Sequence, residues 1–463
     1  MLEIVEQIVG FLNDVFWSYI LIILLIGVGL FFSIKTRFAQ IVLFKDMLQQ
    51  LTAKRPADKH RAISSFQAFC VSTASRVGTG NIAGVAIAIS LGGPGAIFWM
   101  WVIAIIGAGS SLIENTLAQV YKVKDPTGYR GGPAYYMQKG LNARWLGAIF
   151  AVLTIFCYGF AFNAVQANTI TSAFSTFGAD PLMLGLVLAL LTGIVIFGGI
   201  HRIAHVTQYL VPFFATLYIG VALFIMIKNF AQLPAIFTLI FQSAFGIKEA
   251  VGGGMGAAIM YGVRRGLFSN EAGMGSVPNA AATAEVSHPV KQGLVQTFGV
   301  FVDTILICSA TAFMVLVTDA HIGIGLEGVQ IAQAALVSEL GPIGNYFITL
   351  CVLLFAFSSI ISNYYYGETN IEFLNTHASV CFIYRTAVVL FVVLGSVARL
   401  VTVWDIADLF MALMALTNLI AIMLLGRIAL DVFKDYVEQK KTGKDPVFKA
   451  SLIRRLKNTD CWD

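Results

Sequence analysis

Charged residues are scarce along this chain of 463 residues. Only 12% of them are Asp, Glu, Lys or Arg, whereas 58% are hydrophobic, and the mean hydropathy is +0.80. Soluble globular domains carry about 25% charged residues. The composition therefore predicts an integral membrane protein. Because apolar stretches of membrane-spanning length recur along the chain, we expect α-helices rather than the ~10-residue alternating strands of a β-barrel.

Motifs for catalysis and for metal or disulfide chemistry are also missing. The sequence contains no HExxH, P-loop or GxSxG motif, and its six histidines form no convincing pair, so we expect no enzyme. Six scattered cysteines form no CxxC or His/Cys spacing and are expected to be small buried hydrophobic residues. They are Cys70, Cys157, Cys308, Cys351, Cys381 and Cys461.

Eleven membrane-spanning helices are predicted from the apolar runs. They cover residues 17–34, 66–90, 94–121, 145–170, 181–200, 205–228, 251–284, 292–318, 346–367, 379–399 and 405–427. The first run follows an acidic start and lacks a basic leader and a small-residue cleavage site, so we expect it to be retained as a helix.

Lys and Arg are absent from every second connection, which predicts the orientation in the membrane. The N-terminus and residues 171–180, 229–247 and 319–345 contain none, and Arg399 is the one dissenter on that side. The opposite connections carry Lys35, Arg37, Lys45, Lys54, Arg55, Lys59 and Arg61, and Lys122, Lys124, Arg130, Lys139 and Arg144. By the positive-inside rule the protein is a multi-pass cell-membrane protein with its N-terminus outside and its C-terminus cytoplasmic.

The net positive charge of the chain does not indicate a binding partner. The net charge of +5 is explained by this topology bias, so no nucleic-acid partner is expected. The basic stretch 431–456 of the cytoplasmic tail is either solvated or lies on the anionic inner leaflet. Oligomeric state is not readable from the sequence.

Two predicted spans are interrupted by polar residues and glycines. The second contains SRVGTGN (75–81) and the seventh contains RRGLFSNEAGMG (264–275). With the first helix set aside, each block of five spans opens on an interrupted helix, and a repeated block with an odd number of spans must be inverted. Such paired interruptions are the best sequence indication of a secondary transporter and of its binding site at the bilayer midplane. The predicted organisation is an extra helix with a basic connection (1–63), a first five-helix repeat (64–230), a second, inverted repeat (231–430) and a cytoplasmic tail (431–463).

The chemistry of the two interruptions is that of an amino-acid zwitterion site. Gly78 and Gly80 let the backbone leave the helix, so the half-helix that starts near Asn81 points free N–H groups at a carboxylate. The last carbonyls of the other half-helix, around Arg264 to Leu267, suit an ammonium group or Na⁺. The alternative is that the glycines only allow close helix packing. A channel is the least expected function, because no repeated filter motif is present.

Three segments carry a resemblance to a known family. VGTGNIAG (77–84), GGPGAIFWMWVIAIIG (92–107) and GVRRGLFSNEAGMGSVPNAAA (262–282) resemble the hallmark segments of the alanine or glycine:cation symporter family, also called the sodium:alanine symporter family, of the amino acid–polyamine–organocation superfamily. The resemblance implies an all-α polytopic protein whose leucine-transporter-type core of two inverted five-helix repeats follows one extra helix.

The resemblance also implies the site residues. Thr79, Gly80 and Asn81 would contact the substrate carboxylate. The amino group and side chain would be lined by Phe268, Ser269 and Asn270, with Met274 as a less certain wall. A sodium ion would be held by the carbonyls of Ala74, Val77 and Phe355 and by the hydroxyls of Ser358 and Ser359, although serines in an apolar helix also commonly bond their own backbone.

Further polar residues lie within the spans. Gln166 is expected to contact the substrate or to form an interhelix bond, whereas Asn163 is expected to be structural. Ionisable residues in spans should face the bundle interior in pairs. These are Arg76, Glu114, Arg264, Arg265, Glu271 and Asp303. Glu271 would bridge the two half-helices through backbone N–H groups. Asp303 would be a structural carboxylate, the partner of an arginine or a proton-coupling group.

Together these features predict a sodium-coupled symporter that imports a small neutral amino acid by alternating access. Na⁺ is the expected co-transported ion, and no organic cofactor is expected. Alanine and glycine are favoured by the resemblance, and glutamine, serine and D-alanine stay open because the pocket volume depends on packing. H⁺ is the alternative ion, and exchange without a driving ion is the alternative mode.

Overall fold

A computed structural model describes residues 2–53, 62–247, 254–318, 320, 325–326 and 328–462, without the side chains of residues 2–5. A helical segment that begins at Leu2 leads into the first long helix. In chain order the helices are α1 (Glu6–Lys35), α2 (Ala39–Val42), α3 (Phe44–Leu51), α4 (Ser65–Arg76), α5 (Gly80–Gly92), α6 (Gly95–Val120), α7 (Pro133–Leu141), α8 (Arg144–Ser175), α9 (Pro181–Ile196), α10 (Gly199–Lys228), α11 (Phe230–Ala244), α12 (Met255–Asn270), α13 (Pro278–Ala281), α14 (Pro289–Val317), α15 (Val329–Leu340), α16 (Pro342–Leu374), α17 (Ala378–Val397) and α18 (Leu400–Lys441). An antiparallel hairpin of β1 (Val123–Asp125) and β2 (Gly128–Arg130) lies between α6 and α7.

Eight helices of the described part of the chain are long and apolar enough to cross a membrane: α1, α6, α8, α10, α14, α16, α17 and α18. Each coincides with a predicted span. This confirms a helical, multi-pass membrane protein.

The other three predicted spans are interrupted or short. The span predicted at 66–90 is α4 followed by α5, and that at 181–200 is α9, which has 16 residues. The span predicted at 251–284 is α12 followed by the single turn of α13, and its first residues, 251–253, lie outside the described residues. Of the predicted basic connection, residues 54–61 also lie outside them. The number of eleven spans therefore stays a prediction.

The first and last long helices run parallel and in contact. Asn13 Nδ2 donates to the carbonyl of Asp405 at 2.9 Å, and Trp17 Nε1 donates to that of Asp408 at 3.3 Å. The chain's two ends therefore leave the bundle on opposite sides. With 42 residues and 1.5 Å of rise per residue, α18 is about 60 Å long, twice the ~30 Å hydrocarbon core.

The tail is neither solvated nor laid flat over its whole length. Its first part, to Lys441, continues α18, and the chain then folds back onto the C-terminal end of α6 and the N-terminal end of α14. The Phe448 N–H donates to the carbonyl of Ser287 at 2.9 Å, and Trp462 Nε1 donates to that of Gln119 at 2.8 Å. Both aromatic side chains are buried and lie edge to face, with ring centres 5.4 Å apart. The expectation of a solvated tail is therefore wrong for these residues, because their apolar surface finds a partner in the bundle.

Buried Lys122 connects this tail to the second interrupted helix. Its ammonium donates to Gln119 Oε1 at 2.8 Å and to the carbonyl of Ala284 at 3.0 Å, just beyond α13. The rings of Tyr129 and Trp462 lie 4.1 and 4.8 Å from the same nitrogen, so cation–π contacts add to these bonds.

All six cysteines are free thiols, and five are buried, with Cys461 half-buried. The prediction that the cysteines are buried is confirmed for five of them and holds only in part for Cys461.

Replacing Trp462 by alanine should destabilise the protein. The substitution removes a buried indole and one hydrogen bond, and truncations of large buried side chains cost about 3 kcal/mol or more. We expect the midpoint of thermal unfolding of the purified protein in detergent to fall by several degrees. Leu452→Ala is the matched control, because Leu452 is on the same tail and is 61% exposed. Equal midpoints for Trp462→Ala and wild type would show that the tail is not packed on the bundle.

Candidate functional site

The first interruption separates α4 from α5 at Val77 and Gly78, in the centre of the predicted span. The Gly78 N–H donates to the side-chain oxygen of Asn81 at 3.0 Å, and the Thr79 N–H donates to Gln166 Oε1, also at 3.0 Å. A Cβ at position 78 would overlap the hydroxyl of Ser359 and lie 2.8 Å from Gln166 Oε1. Glycine is required here because two side chains approach the backbone closely.

The second interruption follows α12. Glu271 has a left-handed backbone with φ of +56°, and Gly273 and Gly275 follow with φ of +85°. Their two N–H groups donate to the two oxygens of Glu114 on α6, each at 3.1 Å. Asn418 of α18 donates to the same carboxylate at 2.7 Å. Glu114 thus satisfies the backbone groups that unwinding releases, as a capping residue does at a helix end.

Glu271 was expected to bridge the two half-helices of the second interruption through backbone N–H groups, but its carboxylate contacts hydroxyls at both interruptions. Its Oε1 lies 2.8 Å from the hydroxyl of Ser75 on α4, and its Oε2 accepts from Ser276 at 2.6 Å. The Ser75 hydroxyl also lies 2.7 Å from Asn363 Oδ1 on α16. The expected bonds to backbone N–H groups are made by Glu114 instead, because the two glycine N–H groups face α6.

The interruptions meet at the centre of the bundle. A Cβ on Gly80 would lie 2.9 Å from the ring of Phe268. Asp303 on α14 connects the two helices: its Oδ1 accepts from Asn81 Nδ2 at 2.6 Å and its Oδ2 from the hydroxyl of Ser269 at 2.7 Å. Cys308 Sγ lies 3.3 and 3.1 Å from the same two side chains. Asp303 thus accepts hydrogen bonds from both interrupted helices, and among the described residues it forms no ion pair with an arginine.

Aromatic rings form the wall on the α12 side. Phe268 stacks on Phe162 of α8 with ring centres 4.5 Å apart and lies 4.7 Å from the ring of Trp404. Met274 is fully buried, with its sulfur 3.9 Å from the hydroxyl of Tyr158. Phe268 and Met274, which were predicted to line the side-chain end of the substrate site, therefore lie in an apolar, aromatic part of the bundle.

Several polar atoms around the meeting point are buried and lack a hydrogen-bond partner among the described residues. They include the hydroxyl of Thr79, the amide nitrogen of Asn270, and Nε and Nη2 of Arg76. The Asn270 oxygen accepts from the Ala272 N–H at 3.0 Å, and Arg76 donates to the carbonyl of Gln296 at 3.0 Å. Unpaired buried polar atoms are costly, so their concentration here indicates groups available to a ligand.

The residues predicted to hold a cation are also brought together. Ser359 Oγ lies 2.8 Å from the carbonyl oxygen of Ala74 and 3.0 Å from that of Phe355, so this hydroxyl contacts two other predicted ligands. Ser358 bonds only its own helix, with Oγ 2.8 Å from the Phe355 carbonyl. Val77 is the first residue of the interruption beside them. A set made only of carbonyl and hydroxyl oxygens fits a hard cation such as Na⁺.

The two arginines of α12 pair with α18. Arg264 Nη2 lies 2.5 Å from Asp408 Oδ2, and Arg265 pairs with the same oxygen. Arg265 also lies over the ring of Trp404, 4.6 Å from its centre. The ion pairing expected of buried charges is therefore found for these two arginines. The carboxylates of Glu114, Glu271 and Asp303 instead accept hydrogen bonds from hydroxyl, amide and backbone N–H groups.

Sequence reasoning placed the two interruptions but missed much of what surrounds them. Glu114 was noted as ionisable, without its capping role, and Asn163 was correctly taken as structural, since it donates to the carbonyl of Gly159 at 3.2 Å. Residues that were not singled out for the site are Ser75, Tyr158, Phe162, Ser276, Trp404, Asp408 and Asn418. Ser75 and Ser276 lie within the quoted segments 75–81 and 262–282, but no role was assigned to them. The others reach the site from distant helices without a local motif, and only Asp408, as an acid near an apolar run, carried a signal.

Comparison with known proteins agrees with this geometry. Residues 2–450 match the sodium:alanine symporter family. The chain is 54% identical to the probable sodium/glutamine symporter GlnT of Bacillus subtilis, over 100% of this chain and 97% of GlnT. It is 52% identical to the amino-acid carrier protein AlsT of the same species, over 97% and 96%, and 40% identical to the sodium/alanine symporter AgcS of Methanococcus maripaludis, over 94% and 98%.

A solved structure shows the same fold. MhsT, crystallised in complex with L-phenylalanine, superposes with a TM-score of 0.59 over 81% of this chain and 90% of MhsT, at 14% identity. At that identity the likeness concerns the fold, which is the leucine-transporter-type fold. Sequence and fold together show that the chain belongs to the sodium:alanine symporter family.

Proposed function

We propose that the protein is a sodium-coupled symporter that imports a small neutral amino acid, of the alanine and glycine class, by alternating access. The observation that carries this proposal is the meeting of two interrupted helices, with the Thr79 N–H on one side and Ser269, near the C-terminal end of α12, on the other. The α12 helix continues to Asn270, so its last carbonyls lie beyond the predicted residues 264–267. Unwound backbone in a membrane persists only where it lines a cavity or binds something. A zwitterion complements both ends at once.

The carboxylate would bind at Thr79, Gly80 and Asn81. In the structure, Gln166 Oε1 accepts the Thr79 N–H and thus occupies the position that a carboxylate oxygen would take. A buried N–H needs an acceptor at all times, so substrate would displace the Gln166 amide and leave it free to bond the same carboxylate. This assigns Gln166 both roles in sequence, as an interhelix bond without substrate and as a contact with it.

The amino group would face Ser269, Asn270 and the carbonyl ends of α12. Asp303 adds a carboxylate beside Ser269, 2.7 Å from its hydroxyl, and so favours a positive group nearby. Phe268 and Met274 would contact the side chain. The rings packed against Phe268 leave a wall that suits a short apolar side chain.

Na⁺ would bind between α4 and α16, at the carbonyls of Ala74, Val77 and Phe355 and the hydroxyls of Ser358 and Ser359. This position lies next to Gly78, so the ion would stabilise the unwound backbone that binds substrate. Each ligand would then raise the affinity for the other, as symport requires.

Glutamine is the second candidate substrate, because GlnT, 54% identical over its length, is named a probable sodium/glutamine symporter. H⁺ is the alternative ion, since Glu271 and Asp303 are buried carboxylates without an ion pair among the described residues. The parallel course of α1 and α18 supports termini on opposite sides of the membrane. The distribution of Lys and Arg among the connections favours an outside N-terminus and a cytoplasmic C-terminus.

Uptake of labelled alanine into proteoliposomes tests the proposed function. We expect an inward Na⁺ gradient to stimulate accumulation and a K⁺ gradient of equal size not to do so, with unlabelled glycine competing. Competition by glutamine but not by glycine would transfer the assignment to the glutamine class. Stimulation by a pH gradient without Na⁺ would replace the ion, and exchange without any gradient would contradict symport.

Gln166→Glu should raise the KM for uptake at least tenfold with little change in protein yield. The new carboxylate would stand against the substrate carboxylate in a buried site, where like charges repel strongly. The comparison is with Gln166→Met, which has nearly the same length and no charge and should change KM much less. If both variants raise KM equally, charge at position 166 does not face the substrate.

Ser359→Ala should raise the Na⁺ concentration for half-maximal uptake about tenfold, equivalent to 1.4 kcal/mol of lost ion binding. The maximal rate at saturating Na⁺ should change less. Ser362→Ala is the matched control: it removes a buried hydroxyl one turn along α16 that has no partner among the described residues. An unchanged Na⁺ dependence for Ser359→Ala would move the ion site elsewhere.

A further inference from the structure

A groove lies at the basic end of α1, between the turn into α2 and the last turns of α18. It encloses about 480 Å³. Lys35, Arg37 and Val42 line one wall, and Phe433 and Lys441 line the other. We define this cavity as the basal groove.

The basal groove lies at the end of the apolar part of α1, where we expect the lipid headgroups. A Cβ on Gly426 of α18 would lie 2.9 Å from the ring of Phe32 on α1. Because the two helices are parallel, the groove wall that begins at Leu430 lies one turn further along, level with the end of α1. The apolar run of α1 ends there at Lys35, which marks the change from hydrocarbon to polar surroundings.

The walls are held in place by defined contacts. Arg37 and Phe38 have left-handed backbones, with φ of 57° and 54°, and turn the chain sharply out of α1. Gln40 Nε2 donates to the hydroxyl of Ser33 at 2.7 Å and fixes α2 against α1. On the other side, Asp46 of α3 forms an ion pair with Lys440 near the end of α18. The basal groove is therefore a built cavity rather than a gap between loose segments.

Positive charge is in excess in the basal groove. Lys35, Arg37 and Lys441 are exposed and form no ion pair with any described acid, and Lys434 is held 3.7 Å from Glu438. Asp431 is the second acid in the lining, against four cations. Because both acids, Asp431 and Glu438, lie on α18, the wall of the groove formed by α1 and α2 keeps a net positive charge.

Apolar residues lie exposed beside these cations. Val42 is 72% exposed and Ile41 56% exposed, on a short helix at the membrane boundary. Uncharged surface next to unpaired cations is the arrangement of segments that lie in the headgroup region of a bilayer.

We propose that the basal groove binds one anionic phospholipid, with its phosphate at Lys35, Arg37 and Lys441 and an acyl chain along Val42, Leu43 and Phe433. Charge complementarity selects the anionic headgroup, and the apolar wall selects a lipid over a soluble phosphate. Bound lipid would tie the end of α1 to the end of α18. The inference does not depend on which amino acid or ion is transported.

The test compares wild-type protein in nanodiscs of phosphatidylcholine with and without phosphatidylglycerol. We expect phosphatidylglycerol to raise the thermal midpoint and to remain bound to the full chain in native mass spectrometry. The triple variant Lys35→Gln, Arg37→Gln, Lys441→Gln should bind it at least tenfold more weakly, since each basic residue near the membrane surface contributes to anionic-lipid affinity.

The control removes three exposed charges outside the groove: Lys444→Gln, Lys449→Gln, Arg455→Gln. It should bind phosphatidylglycerol like wild type. Equal loss in both triple variants would indicate general electrostatic attraction and overturn the proposal, as would equal stabilisation by inorganic phosphate. If the groove variant is less stable in pure phosphatidylcholine, the charge-preserving set Lys35→Arg, Arg37→Lys, Lys441→Arg should restore both stability and binding, and failure to restore binding would contradict the assignment.

Discussion

The structure depends on one constraint: backbone groups released by unwinding a helix inside the bundle must find partners there, since no water is at hand in the hydrocarbon core. Three side chains accept four of these N–H groups. Glu114 accepts the N–H groups of Gly273 and Gly275, Gln166 accepts that of Thr79, and Asn81 accepts that of Gly78. These bonds explain why polar side chains lie in otherwise apolar helices.

Two of the partners differ in kind. Glu114 satisfies both lone N–H groups with both of its oxygens and is itself bonded by Asn418, so it has the character of a permanent cap. Gln166 makes a single interhelix bond to the N–H group that would bind the substrate. A neutral amide is a weaker acceptor for an N–H than a carboxylate, so this bond can be exchanged for one to a ligand.

The sequence allowed the helical membrane fold and both interruptions to be predicted, because polar residues next to glycines at the centre of two apolar spans favour unwound helices over close helix packing. The family resemblance supplied candidate lining residues, whose roles stay predictions. The sequence did not reveal how the charges are partnered. Arg264 and Arg265 meet Asp408, 143 positions from Arg265 in the chain, and Asp303 meets Asn81, 222 positions away. Such contacts follow from three-dimensional packing, for which local periodicity carries no signal. The prediction of a solvated tail was wrong at Phe448 for the same reason. A basic composition does not show that Phe448 and Trp462 pack on the bundle.

The carboxylates also divide the bundle into parts that would move together. Asp303 joins α5, α12 and α14, Glu271 joins α4 to the loop after α12, and Glu114 joins that loop to α6. Buried, multiply bonded carboxylates are costly to separate, so these helices form one unit. The contacts that leave this unit include the ion pairs of Arg264 and Arg265 with Asp408 of α18. They also include two single neutral bonds: the Thr79 N–H donates to Gln166 of α8, and the Ser359 hydroxyl of α16 donates to the carbonyl of Ala74. The two neutral bonds lie at the positions proposed for substrate and Na⁺. In the proposed cycle, both ligands would therefore bind across the boundary between the unit and the other helices, where each can change how the two parts are held together.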